Sequence, residues 1–178
     1  MKRDLVIFGA NEIGLEVKNL IDSNAFPYSI IGFIDQHLIP GSCFFGLPVL
    51  GDLDDLMKME NISVVLAVPC PRRRQFKIGK LLRKSSFEFP NIISPNAWLS
   101  NKNLCIGVGN VVLCGSNINY GAVIKNFILI GRDCYIEQEA MLGDFCTVGN
   151  QCNIKAYSCI KECDFIKEYS NIPLSEKL

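Results

Sequence analysis

The sequence predicts an α/β domain followed by a parallel β-helix, within a chain of 178 residues. Over the first 90 or so residues, apolar runs typical of strands alternate with segments whose apolar residues follow helical spacing. From Ile106 to Ile172 the spacing changes, and an aliphatic residue recurs at every sixth position without a gap. A small side chain follows four positions after most of these aliphatic residues.

Strands and helices alternate in the first half, which indicates a small parallel sheet. Buried strands are predicted at DLVIFGA, YSIIGFID and ISVVLAV, where apolar runs lie between turn residues. Between the first two strands, NEIGLEVKNLIDSN places its apolar residues on one helical face. The first half is therefore an alternating unit with at least three strands.

Two more helices and a closing segment complete the first half. Acidic side chains around Asp54 open a short helix, because carboxylates suit the positive end of the helix dipole. A helix from about Arg73 to Lys84 follows the third strand, and the segment FEFPNII closes the half.

The second half has the hexapeptide pattern of a parallel β-helix. The repeating aliphatic residues are Ile106, Val112, Ile118, Ile124, Ile130, Ile136, Leu142, Val148, Ile154, Ile160, Ile166 and Ile172. The small residues that follow them are Asn110, Ser116, Ala122, Cys134, Ala140, Cys146, Cys152, Ser158, Asp164 and Ser170. The bulky Ile128 interrupts the small series once.

This period predicts a triangular coil. Six residues form one short strand and a turn, which is one side of the triangle. Three sides make a coil of 18 residues. The aliphatic residue of each side points into the coil, and the small residue lies at the corner. Residues 18 apart then stack about 4.8 Å above one another. We predict about four coils over residues 104 to 172, with Ile118, Ile136, Ile154 and Ile172 in one inward column. In hexapeptide proteins such a coil winds left-handed.

Composition excludes several classes of protein. Eighteen basic residues balance eighteen acidic ones, so nothing in the overall charge favours nucleic acid. The single histidine, His37, argues against a zinc site or any other metal centre. The nine cysteines form no CxxC pair and predict free thiols. The sequence shows no signal peptide and no apolar stretch of about 18 residues, so we expect a cytoplasmic protein without a membrane span.

Six segments resemble one family of enzymes. They are IFGANEIGLEV, GFID at 32–35, GLPVLG at 46–51, LAVPCPRRR, NIISPNAWLS and MLGDF. Together they resemble the sialic-acid O-acetyltransferase / UDP-sugar N-acetyltransferase family of bacterial surface-glycan biosynthesis. The resemblance implies a Rossmann-like domain of the sugar-nucleotide-binding type at residues 1–92 and a left-handed β-helix at 93–178. It also implies a homotrimer and acetyl-CoA as co-substrate, bound between subunits.

The resemblance places the catalytic centre at a turn of the β-helix. Gln138 occupies the position of the family's catalytic histidine, and its neutral amide cannot accept a proton. Glu139 is adjacent and can act as the base if burial raises its pKa. The alternative is that both are solvated turn residues. The same resemblance assigns Asp144 and Thr147 to the acyl-donor site, with Thr147 in place of a second histidine.

The first strand-to-helix turn is the predicted substrate site. The resemblance assigns Gly9, Asn11, Glu12 and Ile13 to it, although Asn11 replaces a glycine and Glu12 adds negative charge, and both disfavour a tightly bound pyrophosphate. Asp35 ends the second strand, where such folds hold a ribose or a base. The alternative is a plain turn that binds no ligand.

A basic run follows the third strand, with Arg72, Arg73 and Arg74 at its start. One interpretation is a solvated helix face. The other is a phosphate contact through Arg72 or Arg73, near the edge of the sheet where ligands gather.

The sequence thus supports two functions. The first is an acyl-CoA-dependent acetyltransferase acting on a nucleotide-linked amino sugar or a sialic-acid-like sugar. The second is a catalytically inactive homologue that serves as a sugar-nucleotide-binding or scaffold protein. Family members usually continue for further coils beyond the position of Ile172, so we expect acetyl-CoA to bind weakly, with a dissociation constant of roughly millimolar.

Overall fold

A computed structural model describes residues 2–173 of the chain. The fold consists of two compact units. The first contains the residues up to Pro69 together with Arg73–Pro90, and the second contains Cys70–Arg72 and the residues from Asn91 onward. Residues 174–178 of the predicted β-helix domain lie outside the described part.

The first unit is built on a five-stranded sheet with three helices. Its strands are β1 (Arg3–Phe8), β2 (Tyr28–Ile34), β3 (Cys43–Phe44), β4 (Leu47–Gly51) and β5 (Ser63–Leu66). Its helices are α1 (Glu12–Asp22), α2 (Leu53–Leu56) and α3 (Pro71–Leu81). The strand order is β3-β4-β2-β1-β5, and every pairing is parallel except the short edge pair of β3 with β4.

The three strands predicted for this unit are confirmed, and each carries apolar residues on both faces. The last four residues of β1 and all of β5 are buried, as expected for a parallel sheet covered on both faces. β5 is buried although it stands at the end of the strand order. The prediction missed β3 and β4. A two-residue edge strand has too few residues to show a period, and Pro48 and Gly51 interrupt the apolar run of β4.

One boundary was predicted wrongly. The segment FEFPNII does not close the first half as one element, because Ile92 and Ile93 form β6, which pairs with Val111 and Val112 of the second unit. Only Glu88 joins the first sheet, through a single bridge to Ser63.

The second unit is a coil of two-residue strands. They are β6 (Ile92–Ile93), β7 (Trp98–Leu99), β8 (Cys105–Ile106), β9 (Val111–Val112), β10 (Asn117–Ile118), β11 (Val123–Ile124), β12 (Leu129–Ile130), β13 (Tyr135–Ile136), β14 (Met141–Leu142), β15 (Thr147–Val148), β16 (Asn153–Ile154), β17 (Cys159–Ile160), β18 (Phe165–Ile166) and β19 (Asn171–Ile172). They form three parallel sheets, with orders β19-β16-β13-β10-β7, β17-β14-β11-β8 and β18-β15-β12-β9-β6. These sheets fit the predicted left-handed β-helix.

The predicted register of the coil is confirmed. Ile118, Ile136, Ile154 and Ile172 pair in succession through β10, β13, β16 and β19, and all four belong to or pack against one apolar core. The coil also begins earlier than predicted, at β6. In that first coil Leu99 pairs with Ile118, which is 19 positions away, so one extra residue breaks the six-residue period.

Candidate functional site

The turn between β1 and α1 is fixed by a glycine and an asparagine. Gly9 has φ of +121°, and a Cβ atom there would lie 2.4 Å from the Ala67 carbonyl oxygen. The Asn11 side chain caps α1 by accepting from the Gly14 backbone N–H at 3.1 Å. Its amide also donates to the Ala67 carbonyl at 2.8 Å, which ties the turn to the residue after β5. Asn11 therefore has a structural role that the sequence analysis did not assign to it.

Asp35 lies beside this turn at the carboxyl end of β2. One carboxylate oxygen accepts from the Ala10 backbone N–H at 3.0 Å, and the other accepts from the His37 backbone N–H at 2.8 Å. The turn, Asp35 and the end of β5 thus meet at the sheet edge where ligands bind in open α/β folds. Glu12 is exposed and Ile13 is half-buried in the first turn of α1.

A lysine that the sequence analysis did not single out adds a positive charge at this edge. Lys77 Nζ lies 4.4 Å from the centroid of the Phe8 ring at the end of β1, and 3.2 Å from Gln36 Oε1. Burial lowers the pKa of the Lys77 ammonium, and the charge of Asp35 partly opposes that effect. Lys77 stands four residues after Arg73, and this helical spacing within the basic run was the only signal in the sequence.

The basic run is not one solvated face. Arg72 and Arg73 are exposed in the first turn of α3, and no hydrogen bond in the described part joins them to Asp35. Arg74 is only 1% exposed, and its guanidinium donates to the carbonyls of Val68 and Pro69, beyond the end of β5. The expectation of a solvated face was wrong for Arg74, because helical periodicity turns it towards the core together with Ile78.

The second candidate site is the turn after β13. Gln138 and Glu139 are both exposed there, as predicted for an outward-facing turn. Glu139 has φ of +56°, and its Oε1 atom lies 2.4 Å from where a Cβ atom on Gly121 would stand. Its carboxylate therefore covers the glycine one coil earlier. In the single chain Glu139 lacks the burial on which its predicted role as a base depended.

The carboxylate of the neighbouring Glu137 contacts the next coil through both of its oxygens. Glu137 pairs with Lys155 at 2.9 Å and accepts from the Ala156 backbone N–H at 3.0 Å. These contacts, led by the hydrogen bond from Lys155, lower the pKa of Glu137. Glu137 is thus a fixed anion next to Gln138 rather than a proton acceptor. The spacing of 18 residues between Glu137 and Lys155 is a signal that could have found the pair.

Two tyrosines stand beside Gln138 at the same corner. The Glu139 N–H donates to the Tyr120 carbonyl at 3.0 Å, and the Tyr157 N–H donates to the Gln138 carbonyl at 3.1 Å. Tyr120 is therefore directly one coil before Gln138. Its phenol oxygen accepts from the Asn103 side-chain amide at 3.1 Å. Both tyrosine side chains are exposed, so this corner presents aromatic surface, an amide and a carboxylate together.

The two predicted acyl-donor residues have different surroundings. One Asp144 oxygen accepts from both the backbone N–H and the side-chain amide of Asn126, at 2.9 and 2.8 Å. Thr147 is buried in β15. In the single chain Asp144 acts as a link between coils, and Thr147 presents little surface to a ligand.

Within residues 2–173 no group of three or more His, Cys, Asp and Glu side chains could hold a metal ion. None of the helices described for this chain is long and apolar enough to cross a membrane.

Comparison with known proteins shows the fold. No protein-family model matches the sequence, and no curated protein matches it. The acetyltransferase domain of PglB from Neisseria gonorrhoeae, solved with acetyl coenzyme A, matches with a TM-score of 0.79 and 20% identity, over 97% of this chain and 94% of that one. WeeI from Acinetobacter baumannii matches with a TM-score of 0.77 and 20% identity, over 90% of this chain and 76% of that one.

A third solved structure carries two ligands. It is a variant of perosamine N-acetyltransferase from Caulobacter crescentus in complex with CoA and GDP-perosamine. It matches with a TM-score of 0.62 and 20% identity, over 94% of this chain and 90% of that one. All three alignments span nearly the whole of this chain, so the similarity covers both units of the fold.

Proposed function

We propose that this chain is an acetyl-CoA-dependent N-acetyltransferase that acts on a nucleotide-linked amino sugar of glycan biosynthesis. The observation that carries this proposal is the match over 97% of the chain to an acetyltransferase domain that holds acetyl coenzyme A. The perosamine N-acetyltransferase structure, which holds CoA and GDP-perosamine, supports an amino sugar as acceptor. The sialic-acid-like O-acetylation that the sequence resemblance allowed has no such support.

In this proposal the first unit is a Rossmann-like domain that holds the nucleotide at the carboxyl ends of β1, β2 and β5. Asp35 is held in place by two backbone N–H groups, and each of its oxygens keeps a lone pair for a ribose or base. The Asn11 side-chain oxygen accepts from the Gly14 backbone N–H. That N–H at the start of α1 is therefore not available to a diphosphate. Lys77, half-buried beside Phe8, is the cation that takes the phosphate charge in its place.

The reaction is placed at the Gln138 corner. The sugar amine attacks the thioester carbonyl, a C–N bond forms as the C–S bond breaks, and CoA leaves as the thiolate that takes up a proton. Glu139 takes the proton that the amine loses, in an assembled enzyme where a second chain covers the corner. Gln138 orients the amine or donates its amide to the oxyanion. A partly neutral amine needs less help from a base than a hydroxyl does.

The second candidate function is the inactive homologue that binds a sugar nucleotide. The exposure of Glu139 and the amide at Gln138 favour it, because neither side chain is set up as a base in the single chain. An assay with radiolabelled acetyl-CoA and a panel of UDP-, GDP- and CMP-linked amino sugars separates the two. Labelled sugar supports the enzyme. Thermal stabilisation by a nucleotide sugar without any transfer supports the homologue.

The affinity of the chain for acetyl-CoA is measured separately from acetyl transfer. The expectation of weak binding rested on coils that family members add after the position of Ile172. The PglB domain that holds acetyl coenzyme A aligns over 94% of its own length, so it adds little beyond the matched part. Isothermal titration decides the matter. A micromolar constant supports the transferase and contradicts our expectation, whereas a constant of roughly millimolar agrees with it.

A further inference from the structure

The exposed face of α3 carries an unusual concentration of positive charge. Residues 71–84 contain seven of the chain's eighteen basic residues and no acidic residue. Arg74 is buried and Lys84 pairs with Glu60, so the structure already uses these two cations. Lys80 and Arg83 are exposed, and neither makes an ion pair with any residue that the structure describes. Their charge is available to an external anion.

A large apolar side chain stands beside these cations. Phe76 is 66% exposed, although Ile78 and Leu81 of the same helix are buried. Lys80 Nζ lies 5.0 Å from the centroid of the Phe76 ring. This face, which we call the α3 face, therefore consists of Phe76, Lys80 and Arg83, which share one side of the helix by their spacing.

A groove opens beside the α3 face. It has a volume of about 630 Å³ and lies between α2 and α3 within the first unit. Its lining includes Leu53 of α2, Met57 directly after α2, and Phe76 of α3, together with Lys80 and Arg83. The groove thus places apolar surface next to two cations. Asp54 is the one acidic residue in its lining.

We propose that the α3 face docks on a bilayer that contains anionic phospholipid. Lys80 and Arg83 contact the headgroup phosphate, Phe76 enters the interfacial layer, and the groove takes the glycerol region. A basic helix face with exposed apolar side chains is typical of membrane-surface contact. The groove lining fits this partner better than nucleic acid, because the aliphatic side chains of Leu53 and Met57 offer no stacking surface for a base.

This inference is independent of the proposed catalytic activity, and co-sedimentation with vesicles tests it. The full chain is mixed with phosphatidylcholine vesicles or with vesicles of equal parts phosphatidylcholine and phosphatidylglycerol. We expect binding to the anionic vesicles to be at least roughly tenfold stronger and to weaken as salt is added. The double variant Lys80→Glu with Arg83→Glu should lose about tenfold or more of that binding.

A matched control distinguishes the effect of the α3 face on vesicle binding from the effect of a change in net charge. Lys125→Glu with Lys161→Glu changes the charge equally at exposed positions of the second unit, and should bind as the unsubstituted chain does. Phe76→Ser should weaken binding while leaving the circular dichroism spectrum unchanged. Equal sedimentation with both kinds of vesicle overturns the proposal, and so does an equal loss in the control. Binding of inorganic phosphate or of an acidic peptide without vesicle binding also overturns it.

Discussion

At the scale of single residues, Gln138 and Glu139 raise the question of which side chain could accept a proton in the proposed reaction. The amide of Gln138 can orient a group by hydrogen bonds but cannot take its proton. Glu139 can take a proton, yet in the single chain it is exposed and lies over Gly121. Its backbone is in the left-handed region, with φ of +56°. The assignment of a base therefore depends on what covers this corner in the assembled protein.

Substitution at Glu139 tests its role as a base. In an active enzyme, Glu139→Gln should lower the turnover number by roughly 10²–10⁴-fold, since that is the usual contribution of a general base. The melting temperature should stay the same. Asp133→Asn is the matched control, because Asp133 also has positive φ and lies over a glycine one coil earlier, Gly115. Unchanged turnover in Glu139→Gln eliminates the role. Gained activity in Gln138→His would indicate a site that kept its geometry but lost its base.

Sequence reasoning located some of these residues and missed others for identifiable reasons. It placed Asp35 at the end of β2, because a strand end can be read from an apolar run. It took Arg74 as solvated, although Ile78 and Leu81 follow at helical spacing on the buried face. It missed Lys77, whose position beside Phe8 depends on how α3 packs against the sheet. Side-chain packing between elements is not encoded in any local pattern.

At the scale of elements, the corners of the β-helix explain the hexapeptide pattern. The small residue is buried at every corner from Asn110 to Ser158, and several of these residues donate to a carbonyl 15 residues later. Ser116 Oγ donates to Gly131, and Cys134 Sγ donates to Gly149, at 2.7 and 2.9 Å. Serine and cysteine are thus equivalent donors at these corners. Positive φ recurs at every sixth position, twelve times from Asn103 to Tyr169, and ten of these residues directly precede a small one.

Thiol labelling tests this role of the buried cysteines. Burial raises the pKa of Cys134 to about 11, so at pH 8 only roughly one thiol in a thousand is the reactive thiolate. Cys134, Cys146 and Cys152 should stay unlabelled in the native protein, while exposed Cys70 reacts. Adding denaturant should expose the remaining thiols. Rapid native labelling of Cys134, detected by mass spectrometry, would contradict a corner role.

The pair between Glu137 and Lys155 gives the coil a dependence on pH. The folded pKa of Glu137 is below its ordinary value, so its contribution is present above that value and is lost as pH falls through the folded pKa. Glu137→Gln should lower the free energy of unfolding by about 1 kcal/mol at pH 7. The difference from the unsubstituted chain should shrink as pH falls below about 4.5. A difference that is the same at pH 7 and pH 3, measured by denaturant titration, would refute this.

The first coil of the β-helix and the strand β3 could not be predicted from the spacing of apolar residues. The first coil contains one residue more than the others, so its strands at Ile92 and Trp98 do not continue the six-residue series. The strand β3 has two residues and pairs antiparallel with β4. The position of the first coil and of β3 is set by the strands with which they pair. Neither has enough residues for a period to be recognised in the sequence.

At the scale of the whole molecule, the β-helix exposes apolar and aromatic surface on its flat sheets. Trp98 and Tyr135 point outward from one sheet and are 54% and 45% exposed. Met141 points outward from a second sheet and is 38% exposed. Cys105 and Cys159 are exposed in the same column as Met141. Asn117 separates Trp98 from Tyr135 on the first sheet, whereas Val123 joins Cys105 to Met141 in an unbroken apolar column on the second. An exposed apolar column of this kind is typical of an interaction site.

We predict that these sheets assemble the chain into a homotrimer. Three triangular coils can each present one flat sheet to a neighbour, which covers the outward aromatic and aliphatic side chains and removes them from water. Light scattering at micromolar concentration should give about three times the chain mass of 19.8 kDa. Tyr135→Glu and Met141→Glu place a charge on two different sheets, and at least one should dissociate the assembly. Lys125→Glu, which adds charge at a position already polar, should leave it intact. A stable species with the mass of one chain would contradict the prediction and would leave the Gln138 corner uncovered, which in turn favours the inactive homologue.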